Sequence, residues 1–362
     1  MEVHSAHDSE SGLRAMIAIH DTRLGPAVGG ARVRAYGCED EALEDVVRLA
    51  RAMTAKAALA GLPHGGGKAV IWVDPSRPPP DRETLFRAFG RFVDTLNGRY
   101  LTCEDSGTSP TDIDVVRSVT RHCLGASKEM GGSGDPSPFT ALGVRRGIEA
   151  CAHVVMGRDD LQGLHVAIQG VGNVGMHLAR ELFDAGCRLT IADADEARAL
   201  RVARETGAEI VSAGEILGVE CDVLAPCALG GVISDATVDR LRCRMIAGGA
   251  NNQLASKEMG QLLQDRGVFY APDYAINAGG LINVAQEWKG YDAHEARQKT
   301  LLIYNTIAEI ARRSLRTWTP PAEIAERMVE EALLRVGVPQ PFASSLPIFS
   351  SPTPSFSRGT AV

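Results

Sequence analysis

Apolar residues dominate 13–20 (LRAMIAIH), a pattern that predicts a strand, and the glycine-punctuated stretch 25–30 (GPAVGG) reads as a turn with a helix expected after it. Between 41 and 59, Leu43, Val46, Val47, Ala50, Met53 and Ala57 recur at helical spacing, with acidic residues near the start where they complement the helix dipole. Gly61, Leu62 and Pro63 end that helix. The run 68–73 (KAVIWV) predicts a short strand closing at Asp74 and Pro75, followed by a Pro-rich loop at 78–80, a helix over 82–96 and a strand over 100–103. Glycine and proline are densest mid-chain at 130–138 (MGGSGDPSP), which marks a domain crossing. Beyond it, a helix over 140–152 precedes strands at 164–168, 188–192, 222–225 and 244–247 that alternate with helical segments, the signature of a parallel sheet. Helical patterns run from 280 to about 334, and residues 339–362, rich in Ser and Pro without periodicity, are expected to be disordered.

A chain of 362 residues exceeds the reach of one ordinary hydrophobic core, so the expected fold is α/β with two domains separated by a cleft. Residues 1–130 form an α/β substrate and oligomerisation domain, 131–285 a Rossmann dinucleotide-binding domain, and the helices of 286–338 pack back on the first. With 44% apolar and 23% charged residues the composition is that of a globular protein. A net charge of -7 and no basic cluster exclude nucleic acid as a partner. The eight cysteines form no C-x-x-C pair and no His cluster accompanies them, so no metal is expected and the thiols read as reduced. The N-terminus lacks the basic and apolar regions of a signal peptide, and no apolar run approaches membrane-spanning length; a cytoplasmic location without membrane contact is expected.

The strand pattern at 164–169 runs into Gly170-Val171-Gly172-Asn173-Val174-Gly175, which opens a helical pattern over 176–185. This is G-x-G-x-x-G in the context that gives it meaning. Gly170 permits a tight turn, Gly172 lets a pyrophosphate approach the backbone, Gly175 lets helix and strand pack closely, and the helix N-terminus offers amide donors. The next strand ends at Asp193, 18 residues after Gly175, where a carboxylate can bind both ribose hydroxyls and repel a 2′-phosphate. NAD is therefore favoured over NADP, with Arg198 and Arg201 nearby in sequence as the counterweight.

A hydride-carrying cofactor needs a partner site that holds the substrate and manages its protons. Lys56 lies in the last turns of the first long helix, and Lys68 follows Gly65, Gly66 and Gly67 at the mouth of the next strand, so the intervening turn can bring both ammonium groups to one spot. The glycine triplet suggests close approach to the backbone, and a desolvated lysine becomes a usable base. Asp105 follows the strand at 100–103, where an α/β strand delivers a catalytic carboxylate.

The blocks GPAVGGARV (25–33), MTAKAALAGLPHGGGKAVI (53–71), EDSGTSPTDID (104–114), GDPSPFTALGV (134–144), APCALGG (225–231), NNQL (251–254) and APDYAINAGGLINVA (271–285) occur in the order of the leucine, valine and phenylalanine dehydrogenase family. They span nearly all of 12–335, and the chain resembles that family, most closely its leucine dehydrogenases. The resemblance implies NAD-dependent, reversible oxidative deamination of an L-amino acid to a 2-oxo acid and ammonia. It implies that Lys68 is the general base that activates water, that Asp105 shuttles a proton to and from the substrate nitrogen, and that Lys56 pairs with the substrate carboxylate. Asn252 and Asn277 would contact nicotinamide or substrate, while Arg32, Thr140, Ala228, Asn251 and the 170–175 loop would serve the dinucleotide. Val28, Gly29, Met53, Cys103, Leu281 and Val284 would line an uncharged side-chain pocket. Such a pocket excludes glutamate, whose second carboxylate would be buried unpaired, and favours leucine, valine or isoleucine, with phenylalanine or another apolar amino acid as the alternative. The family's members imply a homo-oligomer, a dimer or an octamer, although the chain lacks the leading helix usual in them and carries a Ser/Pro tail without a family counterpart. A hydroxy-acid dehydrogenase would share the 170–193 region but rely on a catalytic His and Arg; a non-catalytic NAD-binding protein would not need Lys56, Lys68 and Asp105 together.

Overall fold

The computed structural model describes residues 1–73 and 81–336; the Pro-rich loop at 78–80, the strand end at Asp74 and Pro75, and the tail 339–362 lie outside the described residues. Five strands, β1 (Glu2–Asp8), β2 (Leu13–Asp21), β3 (Ala27–Arg34), β4 (Gly65–Trp72) and β5 (Tyr100–Glu104), form the first sheet in the order β1-β2-β4-β3-β5. β1 and β2 run antiparallel, as do β2 and β4, whereas β3 is parallel to both of its neighbours.

Helix α1 (Glu39–Leu59) begins with Glu39, Asp40 and Glu41 and ends near Lys56, charges matched to the two ends of its dipole. Its Val46 and Ala50 pack with Met16, Ala18 and Val70 on one face of the sheet. On the other face, α2 (Arg82–Asp94), capped by the Asp81 carboxylate on the Thr84 N–H, brings Phe86 and Phe89 against Leu13, Ile17 and Ile71. The short α3 (Pro110–Arg117) starts with a Ser109–Asp112 capping box.

Two strand outcomes differ from the sequence expectation. Residues 27–30 of the expected turn are the first half of β3, ahead of the helix expected over 41–59, which forms as α1, while Gly65, Gly66 and Gly67 are the first residues of β4 and not a turn before it. The reason is interstrand and helix–strand proximity, which leaves no room for side chains. A Cβ on Gly29 would lie 1.8 Å from the Gly67 carbonyl oxygen, and one on Gly66 would lie 2.0 Å from the Thr54 nitrogen on α1.

The second sheet is wholly parallel, in the order β11-β10-β9-β6-β7-β8. After α4 (Ser137–Met156) come β6 (His165–Gln169), α5 (Asn173–Asp184), β7 (Arg188–Ala192), α6 (Glu196–Thr206), β8 (Glu209–Ile210), β9 (Cys221–Pro226), β10 (Cys243–Ile246), α7 (Glu258–Asp265) and β11 (Phe269–Tyr270). Strand order reverses direction at β6 and β9, the switch point at whose carboxyl ends such sheets bind ligands.

The chain then folds into α8 (Asp273–Ile276), α9 (Gly279–Ala285), α10 (Ala293–Leu301), α11 (Ile303–Thr317) and α12 (Pro321–Leu334). α11 lies along α4 of the second domain, and α12 reaches α1 of the first, so the terminal helices brace both sides. One apolar core accordingly runs from Val28 and Leu101 through Ile148 to Ile276 and Ile307. The Glu287 carboxylate, just after α9, ties that part of the chain to the 125–133 stretch by accepting the N–H groups of Gly125 (3.0 Å) and Ser133 (2.6 Å).

Candidate active site

A cavity of about 310 Å³ opens between the two domains. β4 carries Lys68 into it from the first domain, and the close seating of Gly66 on Thr54 and Gly67 on the Tyr100 ring sets how near that strand comes to α1 and β5. The Lys68 side chain is 6% exposed, and its ammonium stands 3.0 Å from Asp105 Oδ2 at the end of β5. Arg32 Nε, from β3, donates to the same oxygen at 3.0 Å. Burial alone would raise the Asp105 pKa, but Lys68 and Arg32 outweigh it and hold the carboxyl below its usual range.

Lys56 stands on α1 across the cavity, with its ammonium donating to Asn251 Oδ1 at 3.3 Å. The residue is half-buried, and desolvation lowers its pKa to about 8, against the pull of Asp273 and with the help of Lys68. Asp273, at the start of α8, is buried, and burial raises its carboxyl despite Lys56 and the N–H groups of Gln253 (3.2 Å) and Tyr274 (2.7 Å) that it accepts. Asn277 Nδ2 donates to Asn251 Oδ1 at 2.7 Å and to the Gly249 carbonyl at 3.2 Å, which joins α8 to the 251–254 loop.

The apolar part of the cavity is made by Met53, Cys103, Gly125, Leu281 and Val284, with Leu49 and Ala52 beside them. A Cβ on Gly125 would touch Val284 at 3.5 Å and Cys103 at 3.8 Å, so these three meet at one spot. Burial pushes the Cys103 thiol up to about 12, which leaves it an uncharged wall. Val28 is fully buried in the core and Gly29 sits within the sheet; neither lines the cavity.

In the second domain, Gly170 has φ +90 and lies so close to Ala228 that a Cβ would sit 2.6 Å from its methyl group, while a Cβ on Gly175 would lie 2.0 Å from the Gly170 carbonyl. By contrast a Cβ on Gly172 would meet only Arg198 Nη1, at 3.8 Å. The backbone at the start of α5 thus has an open approach, which fits a pyrophosphate, with Asn173 exposed and Val171 buried beneath. Asp193, ending beside β7, accepts from the Val171 N–H (2.8 Å) and the Asp195 N–H (2.9 Å), and Arg198 Nη1 lies 3.3 Å away. Val174 and Thr140 carry this region into the cavity wall.

The structure therefore brings Lys56, Lys68, Asp105, Arg32, Met53, Cys103, Asn251, Asn252, Asn277, Leu281, Val284, Thr140 and Val174 to one cavity. Arg32, expected at the dinucleotide, has its guanidinium engaged by Asp105 and by Asp45 (3.2 Å). Sequence reasoning missed Gly125, Asp273, Tyr274, Leu49 and Glu104. For Asp273 the signal existed, an acid within the APDYAINAGG block, whereas Gly125 has no side chain to advertise itself.

A glycine-rich strand-to-helix turn at a parallel sheet's switch point, with Val174 reaching a cavity that holds two lysines and a carboxylate, has the form of a two-domain dinucleotide-dependent oxidoreductase. Comparison with known proteins narrows the class. Residues 1–122 match the family model described as Glu/Leu/Phe/Val dehydrogenase, dimerisation domain, and residues 188–310 match Glutamate/Leucine/Phenylalanine/Valine dehydrogenase. Leucine dehydrogenase of Geobacillus stearothermophilus is 49% identical over 332 residues, 92% of this chain and 90% of the relative. Phenylalanine dehydrogenase of Thermoactinomyces intermedius is 44% identical over 329 residues, 90% and 89% of the two chains. The crystal structure of L-tryptophan dehydrogenase from Nostoc punctiforme superposes with a TM-score of 0.82 at 39% identity, covering 93% of this chain and 96% of that one. The chain belongs to the Glu/Leu/Phe/Val dehydrogenase family.

Proposed function

We propose that the protein catalyses the reversible, NAD-dependent oxidative deamination of a branched-chain L-amino acid to its 2-oxo acid and ammonia. The observation that carries this reading is the cavity in which Lys56, Lys68 and Asp105 face an uncharged wall. Two cations and one anion complement an amino acid's carboxylate, a developing carbinolamine oxygen and an amine.

Lys56 pairs with the substrate carboxylate and so fixes the α-carbon toward the second domain. Asp105 Oδ1, the oxygen not held by Lys68 and Arg32, accepts a proton from the substrate ammonium. When bound, the dinucleotide supplies an acceptor for the α-hydrogen with its electron pair. Lys68 then takes a proton from the water that attacks the imino carbon, and Asp105 returns one to the departing nitrogen. Narrowing of the cleft excludes bulk water during the first step. Asp193 at the end of β7, with the open backbone at Gly172, supports NAD as the cofactor. The meeting of Cys103, Gly125 and Val284 supports a mid-sized aliphatic side chain. The match of residues 1–122 to a dimerisation domain supports a homo-oligomer, dimer or octamer, and the eight free cysteines support a reducing, cytoplasmic setting. No helix among the described residues is long and apolar enough to cross a membrane.

The test is a panel of L-amino acids with NAD and with NADP, followed by the absorbance of the reduced nicotinamide. Leucine, valine and isoleucine with NAD should give the highest kcat/KM; turnover of L-lactate or L-malate and of no amino acid would overturn the reading.

A further inference from the structure

Asp105 is gripped on one oxygen by two cations that come from different strands, and only one of them has a chemical task in the proposed reaction. The other, Arg32, is 15% exposed and is itself anchored from behind. Its Nη1 donates to Asp45 Oδ2 at 3.2 Å, and the same carboxylate accepts from the Tyr36 hydroxyl (2.8 Å) and from Arg48 Nη2 (2.5 Å) on the next turn of α1. Arg48 Nη1 continues across the cleft to Asn252 Oδ1 at 3.5 Å. Neither Asp45 nor Tyr36 lines the cavity.

We propose that Arg32 is the positioning residue of the proton-transfer carboxylate: anchored by Asp45 and Tyr36, it pins Asp105 Oδ2 and leaves Oδ1 turned to the substrate nitrogen. The physical need is specific. Held by Lys68 alone, Asp105 would follow that side chain whenever it moves toward the attacking water, with no second contact to keep Oδ1 turned to the substrate. The Arg32 guanidinium cannot be deprotonated in the working range, and it is tied to Asp45 through a second nitrogen, so it supplies a charge and a direction that do not change during the cycle. The network alternates in sign from Lys68 through Asp105, Arg32 and Asp45 to Arg48, which leaves no buried charge without a partner along its length.

The groups facing Asp105 are Lys68 from β4, Arg32 from β3, Lys56 from α1, and Tyr100, Cys103 and Glu104 of β5, the strand that it follows. Arg32 lowers the proton affinity of Asp105, so its loss must raise it. This inference rests on the proposed role of Asp105, and its test has one arm that needs no turnover. Arg32→Met, Arg32→Lys and Asp45→Asn are compared with the wild type by three measurements: kcat and KM for the amino acid, NADH affinity by fluorescence, and the pH dependence of Asp105 labelling by a water-soluble carbodiimide, read by mass spectrometry.

Arg32→Met should lower kcat by at least about tenfold, in line with a small misplacement of a reacting group. Asp45→Asn, which keeps the shape and guards against a folding failure, should do so more weakly, and Arg32→Lys should recover part of the loss. NADH affinity should stay within about threefold, a shift of ~0.7 kcal/mol. The Asp105 labelling midpoint should move to higher pH in Arg32→Met. An unmoved midpoint, or a loss confined to NADH affinity, would overturn the proposal, the latter by returning Arg32 to the dinucleotide. A wild type that turns over no amino acid would sink the proposed function, while the labelling arm would still decide the role of Arg32.

Discussion

Replacing Gly66 by alanine tests whether the packing of one glycine sets the distance between two lysines. The added Cβ would stand 2.0 Å from the Thr54 backbone nitrogen and 2.2 Å from its Oγ1, with Thr54 itself two residues from Lys56 on α1. A comfortable contact is about 3.5 Å, so strand and helix must separate by roughly 1.5 Å, and backbone atoms on both sides give no flexible route around the clash. Overpacking of this kind costs about 1–3 kcal/mol. In a domain of ordinary size each kcal/mol lowers Tm by roughly 2–4 °C. Because Lys68 lies two residues beyond Gly66 on β4, the displacement passes to the site, and a shift near 1 Å is worth about a hundredfold in rate. The assay is kcat/KM by reduced-nicotinamide absorbance beside a calorimetric Tm. Gly61→Ala is the control: its φ of +63 makes alanine strained, yet nothing lies within 4 Å of the added carbon, so it should lose stability and keep its rate. If Gly66→Ala retained both wild-type kcat/KM and wild-type Tm, the claim that the glycine triplet sets the lysine geometry would be wrong.

Two further outcomes follow from the site and its supports. Burial lowers Lys56 from the usual 10.5 to about 8, and a carboxylate bound beside it restabilises the ammonium, so binding of a branched-chain 2-oxo acid at pH 9 should take up a proton and weaken as pH rises above 8. Calorimetry in two buffers of different ionisation enthalpy measures that uptake, which should vanish in Lys56→Met; pH-independent binding would refute the assignment. Glu287→Ala would strip two buried N–H groups, those of Gly125 and Ser133, of their acceptor, with an expected loss of about 2–5 kcal/mol in denaturant unfolding. A loss below about 0.5 kcal/mol would show that Glu287 does not hold the 125–133 stretch.

The sequence made the second domain easy to read and the first harder, for physical reasons. Its glycine loop, helix and strand are contiguous, so all of the chemistry from Gly170 to Asp193 lies in one βαβ stretch and the structure keeps it together. β1 (EVHSAHD) went unseen because it is a mostly exposed edge strand with too few apolar residues to show alternation. β8 and β11 have two residues each, below any period. The glycines of β3 and β4 imitate turn punctuation, since what calls for them is a neighbouring chain that only folding brings close. The helix over 41–59 was legible from its spacing, and with it the position of Lys56, but which face of that helix meets the 251–254 loop was not. Arg32 is the instructive residue: family resemblance suggested the cofactor, whereas the fold seats it on Asp105 because β3 lies between β4 and β5.

Lys68 is proposed to move protons in the cavity, beyond holding the fold. Lys68→Met keeps an unbranched apolar stem of similar reach and removes the amine, so the direct measurement is L-leucine turnover by this variant alongside its NADH affinity. Its kcat should fall about 10²–10⁴-fold with NADH binding unchanged. Near-normal turnover, or a loss explained by failure to bind the dinucleotide, would contradict it.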